Sequence, residues 1–146
     1  MDDEHWRIAH VGEFAALFRA VYLLDPPATF VALAEGAWPR DVQESLSQIS
    51  IDPGVAVREQ LTREFLRALF VPVSDRQMEA LAVLAERHAE PEIAIHIAAL
   101  ATHGPLVEWF DAPDDPIAVS PSVPRGVVAR LAEQLGATSE WVARGV

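Results

Sequence analysis

Apolar residues recur along this chain with two different periods, and the switch from one to the other predicts the elements. Over residues 11–24, Phe14, Leu17, Phe18, Val21 and Leu24 follow three- and four-residue steps, the single stripe of a helix. Asp25-Pro26-Pro27 ends it, because proline has no amide proton for the helical ladder. Residues 29–34 read as a short strand in which Phe30 faces away from Val31 and Leu33, so both sides of it can be covered. After a turn at 36–40, Pro39 suits a first helical turn, and Val42, Leu46 and Ile49 predict a helix over 39–50. Asp52-Pro53-Gly54 is a turn.

Residues 55–73 carry both signals. Val57, Leu61, Phe65 and Leu69 share one helical face, yet LRALFVPV suits extended chain. The expectation is a helix over 56–66 and a strand over 67–73, with Pro72 marking an edge or a strand end. Ser74-Asp75-Arg76-Gln77 is a capping box, and Met78, Leu81, Leu84, Ala85 and His88 continue it as a helix over 75–89. His88 is expected at the packed edge of the core. Glu90-Pro91 stops that helix.

A period of two follows. Ile93, Ile95 and Ile97 alternate with Ala94, His96 and Ala98, which predicts a strand over 92–100. His103-Gly104 turns the chain into a strand over 106–110, with Trp109 as core filling, and Asp111-Ala112-Pro113-Asp114-Asp115-Pro116 turns it again into 117–119. Connections this short favour antiparallel neighbours. A last helix is expected over 123–135, capped by Ser122, lined by Val127, Val128, Leu131 and Leu135 and stopped at Gly136. Residues 138–142 read as a short helical turn that docks Trp141. The pattern as a whole predicts one α+β domain over 1–146. It has a mainly antiparallel three- to five-stranded sheet with helices packed on one face, and the strands near 92–120 lie at its centre.

Composition narrows the chemistry. With 146 residues, 51% hydrophobic and 23% charged, the chain can bury a core. It has no cysteine, so disulfides and thiolate zinc sites are excluded. The start, MDDEHWR, is acidic where a signal peptide is basic, and no apolar run approaches the roughly 18 residues of a membrane span, so a cytoplasmic location is expected. The net charge of −11 argues against nucleic acid and against an anionic membrane surface as direct partners. It favours a basic protein partner. All eleven basic residues are arginine, a composition that a genome rich in G and C accounts for.

Charge concentrates in residues 86–116, where seven carboxylates face one arginine, a formal −6 out of the total −11. The residues expected to meet a partner are Glu90, Glu92, Glu108, Asp111, Asp114 and Asp115, with Trp38 as an exposed aromatic anchor. An alternative is a small metal-dependent hydrolase or transferase built on His96, Asp111, Asp114 and Asp115, since hard cations take carboxylates. No zinc-protease or EF-hand spacing supports it, and on one strand Glu92 and His96 would stand about 13 Å apart. His96 and Glu108 could form a cross-strand pair if the register allows. There is no nucleophile elbow and no phosphate-binding glycine loop, so no catalytic residue and no cofactor is assigned. A second alternative is a self-associating structural subunit, for instance a homodimer. No characterised family is recognised. In size, acidity and expected architecture the chain is similar to small bacterial immunity and antitoxin proteins, a likeness of type that implies an inhibitor or adaptor.

Overall fold

A computed structural model of the chain describes residues 4–9, 11–112 and 114–143. Pro113 of the expected 111–116 turn, and the first three residues of the acidic start, lie outside them. The architecture is mixed α+β, built on one antiparallel sheet. The strands are β1 (His5–Ile8), β2 (Phe30–Ala34), β3 (Leu69–Pro72), β4 (His96–Ala101), β5 (Gly104–Trp109), β6 (Ile117–Val119) and β7 (Ser139–Val142). Their order across the sheet is β3-β2-β4-β5-β6-β1-β7. The sheet thus has seven strands, not three to five. The β4-β5-β6 meander occupies its middle, as the short turns require.

Register separates the two faces. One row runs Val71, Val31, Ala99, Val107, Val119, Trp6 and Trp141 across all seven strands. The neighbouring row, on the opposite face, runs Phe70, Ala32, Ala98, Glu108, Ala118, Arg7 and Glu140. The first face carries the large apolar side chains, and the longer helices cover it: α1 (Phe14–Ala20), α2 (Arg40–Ile49), α4 (Asp75–Arg87) and α6 (Arg125–Gln134) all contribute to its core. Trp109, fully buried there, meets Phe14 edge-on at 5.3 Å. The second face is alanine-rich and therefore shallow. It holds a smaller core of Ala32, Ala34, Ala98, Leu100 and Phe70, roofed by Phe65 and Ala68 with Val57 and Leu61 beside them. The expectation of helices on one face thus holds for the longer ones, while the 55–68 segment closes the other side. β2 is covered on both sides, as the position of Phe30 predicts.

Several local expectations need correction. The helix expected over 56–66 is only α3 (Val55–Arg58), followed by turns and a 3₁₀ segment at Arg63–Phe65. Val57, Leu61 and Phe65 do face one core, but the backbone reaches it without a continuous helix. The strand expected from 92 begins at His96. Residues Glu90–Ile93 form α5, a single helical turn with proline near its start and the Glu92 carboxylate accepting from the Ala89 amide at 3.1 Å. Residues 139–142 are a strand and not a helical turn, because β1 offers them an unpaired edge. Ser122 does not cap α6; it hydrogen-bonds Ser120. The serine half of the expected capping box forms, with Ser74 Oγ accepting from the Gln77 amide, and Gly136, at φ +67°, ends α6 in the left-handed conformation as read. Among the described residues no helix is long and apolar enough to cross a membrane.

Arg19 ties α1 to α4. Its guanidinium donates to Glu79 at 3.0 and 3.1 Å and to Glu86 at 2.7 Å. Those bonds hold both carboxyls below their usual range and push the guanidinium pKa up. A carboxyl depressed by folding adds stability above its unfolded pKa and loses it as pH falls through the folded value. Arg19→Gln should return both glutamate pKa values toward normal in a carboxyl NMR titration, and acid unfolding curves of the variant should show a weaker pH dependence in that window.

Candidate functional site

Antiparallel pairing brings three strand ends to one end of the sheet. Ala34 pairs with His96 and Ile97 with Trp109, so the exit of β2, the entry of β4 and the exit of β5 lie side by side. The 62–68 segment arrives at the same end, because Leu69 opens β3 opposite Leu33. α5 is tied to the 35–38 loop by the Ala37 and Trp38 amides, which donate to the Pro91 and Glu92 carbonyls at 2.8 and 3.2 Å. The Asp111 turn is tied in by the Ala112 amide, which donates to Ile95 at 2.8 Å. Trp38, Glu90, Glu92, His96 and Asp111, scattered in sequence, are thereby gathered at one end, with Asp114 and Asp115 on the turn that follows.

His96 is the pivot. It is the one polar side chain of an otherwise apolar strand and is 7% exposed. Its Nδ1 accepts the Asp111 amide at 3.0 Å, which leaves the proton of a neutral imidazole on Nε2. Nε2 lies 3.2 Å from the Glu35 carboxylate. Phe65 and Phe110 flank the ring at 6.1 and 5.6 Å. Both nitrogens are thus engaged, and the imidazole acts to hold Glu35 and the Asp111 turn in place. The register does put Glu108 on the same face as His96, but their pairing is not the one observed.

Glu35, Trp38, Arg63, Glu64, Leu66 and Arg67 line a cleft of about 430 Å³ beside this pair. Thr62 hydrogen-bonds the Glu64 carboxylate and, with the backbone amide, holds its pKa below the usual range. Glu35, Trp38 and Asp111 have φ values of +58°, +38° and +50°, and they are the only non-glycine left-handed residues among those described. Each such residue costs on the order of 1–2 kcal/mol, and strain of this kind persists only where the surroundings enforce it. Its concentration at this end of the sheet distinguishes the region from the rest of the molecule.

The acidic residues singled out by sequence divide into three groups. Glu90, Asp111, Asp114 and Asp115 have no basic side chain within ion-pair distance among the described residues, and the three aspartates are exposed. Glu92 caps the Ala89 amide and stands 3.6 Å from His88, which also meets Asp41 at 3.3 Å. Glu108 is 3% exposed and engaged inside the molecule, so it presents no carboxylate to a partner. Trp38 is half-buried and its indole donates to the Ile93 carbonyl at 2.7 Å, so it works as a clamp on α5 with one edge in the cleft. Among the described residues no three histidine, aspartate or glutamate side chains converge on a point where a metal ion would sit, so His96, Asp111, Asp114 and Asp115 do not form a ligand set. Glu35, Arg63, Glu64 and Arg67 were not singled out by sequence, because nothing local connects residue 35 with residues 63–67.

No family model matches the chain, and neither a curated protein nor a solved structure is found similar to it.

Two substitutions probe how the site is held. A Cβ on Gly36 would overlap the Trp38 indole nitrogen and the Ile93 carbonyl. Gly36→Ala should therefore break that hydrogen bond and destabilise the fold by about 1–3 kcal/mol in denaturant titration, with faster exchange of the Trp38 indole proton. Trp109 Nε1 donates to the Asp115 carbonyl at 2.7 Å and so pins the acidic turn to the core. Trp109→Phe keeps most of the apolar volume but leaves that carbonyl without its donor. It should cost roughly 1–3 kcal/mol, and the amides of the 111–116 turn should exchange faster.

Proposed function

We propose that this protein is a small acidic binding protein, an inhibitor or adaptor of the immunity or antitoxin type. It would meet a basic protein surface with the end of its sheet, in a cytoplasmic setting. The observation that carries this reading is the group Glu90, Asp111, Asp114 and Asp115. These carboxylates pair with no arginine among the described residues, although Arg7, Arg19, Arg40 and Arg58 each pair with a carboxylate elsewhere. They stand on short turns anchored to buried strands, so presenting them costs little ordering on association. Unneutralised acids in fixed positions speed the encounter with a cationic partner and select against acidic ones. The net charge of −11 extends the same field over the whole surface. Glu92 and Glu108 are left out of the contact set, the first because it caps α5 and the second because it is buried.

The test is a capture experiment from the native host at low and moderate salt, run beside a variant carrying Glu90→Gln, Asp111→Asn, Asp114→Asn and Asp115→Asn. A basic protein should be retained at low salt, released as the Debye length shortens below about 10 Å, and lost with the variant. Retention of no basic protein, or equal retention by the variant, would remove the basis for this reading.

A further inference from the structure

The cleft beside His96 has a property that the acidic surface does not share: it is lined by both signs of charge, Glu35 and Glu64 beside Arg63 and Arg67, with no arginine–carboxylate pair within 4.0 Å among its described residues. Arg63 and Arg67 have no carboxylate within 4.0 Å among the described residues, in a chain with twice as many acids as arginines. Glu35 faces the same cleft, and its ion-pair contact is His96, not an arginine. The edge of Trp38 and Leu66, a leucine left 76% exposed, line the same cleft. An anion entering here would meet Glu35 and Glu64, and a cation would meet Arg63 and Arg67. A molecule carrying both charges on a small apolar body satisfies every wall at once. The volume of about 430 Å³ falls within the range of small-ligand sites.

We propose that this cleft binds a small zwitterion of the free α-amino acid class with an apolar side chain. The ammonium group is received by Glu35, the carboxylate by Arg63 and Arg67, and the side chain lies over Leu66 and the Trp38 edge. Guanidinium groups suit the carboxylate because their paired N–H donors match its two oxygens. Glu35 is ready to receive the ammonium because His96, fixed at its other nitrogen by the Asp111 amide, holds the carboxylate from behind. The inference is independent of the partner reading, whose residues lie on α5 and the 111–116 turn and not among those lining the cleft.

The experiment is a two-dimensional amide and indole NMR titration of the full chain with L-phenylalanine, N-acetyl-L-phenylalanine and L-phenylalaninamide. L-phenylalanine should give saturable shifts at the Trp38 indole and at the amides of residues 35 and 63–67. Each blocked analogue loses one exposed charge contact and should bind about fivefold more weakly or worse. Glu35→Gln should abolish the preference over the N-acetyl analogue alone. Arg63→Gln with Arg67→Gln should abolish the preference over the amide alone. These side chains are exposed at the surface, so the variants are expected to fold, and their spectra report it directly. Absence of saturable shifts with L-phenylalanine, or equal binding of the blocked analogues, overturns the proposal.

Discussion

All six residues of β4 are buried, and the molecule is arranged around hiding that strand on both faces. A strand in this position can leave no backbone group without a partner, so β2 and β5 flank it along its length. On one face Ile97, Ala99 and Ala101 join the core that the longer helices cover. On the other, Ala98 and Leu100 join the smaller core that the irregular 55–68 segment closes. The only polar side chain on β4 is that of its first residue, His96, and its two nitrogens need partners. The Asp111 amide and Glu35 supply them, which draws three chain segments together at one end of the sheet.

The distribution of charge follows from that architecture. On the helical side Arg19 is used between α1 and α4, and there Glu79 and Glu86 are neutralised locally. At the His96 end the turns are held by backbone hydrogen bonds, and their acids meet no arginine among the described residues. The Asp111 carbonyl accepts from the Asp114 and Asp115 amides and its own amide donates to His96, so the backbone holds the turn while the three aspartates stay exposed. The cleft next to it keeps Glu35 and the two arginines apart for a related reason. Glu35 is held by His96, and Arg63 and Arg67 ride on the segment whose Phe65 is locked over the second core. Strain at Glu35, Trp38 and Asp111 is the cost of that arrangement, offset by the packing on either side.

Much of the fold was legible wherever the determining contacts are local. The Ser74 cap, the 75–87 helix, the Gly136 stop and the β4-β5-β6 meander all arise within a few residues or across one short turn. The misreadings occurred where distant chain decides. β1 and β7 are four residues each, and their partners are more than a hundred residues away, as with Trp6 and Val119. No window of sequence contains both halves of such a pairing. In 56–66 the spacing of Val57, Leu61 and Phe65 identified the residues that turn inward. It did not identify the backbone, because three side chains can reach a shallow face from turns and a 3₁₀ segment as well as from a helix. The sequence could not sort the acidic residues of 86–116. Burial removed Glu108, capping occupied Glu92, and Glu35 entered only through its contact with a residue 61 positions later in the chain.

Hydrophobic periodicity and turn chemistry were enough to specify an α+β molecule with an antiparallel centre, and composition was enough to make it strongly acidic and free of thiol chemistry. Both are sums of local preferences, and each residue contributes to them whatever its distant neighbours do. The number of strands, the covering of the second face and the meeting of Glu35, His96, Asp111, Arg63 and Arg67 belong to the tertiary structure. They depend on which segments lie beside β4 once it is buried, and that outcome is set by long-range backbone pairing and by the depth of each sheet face.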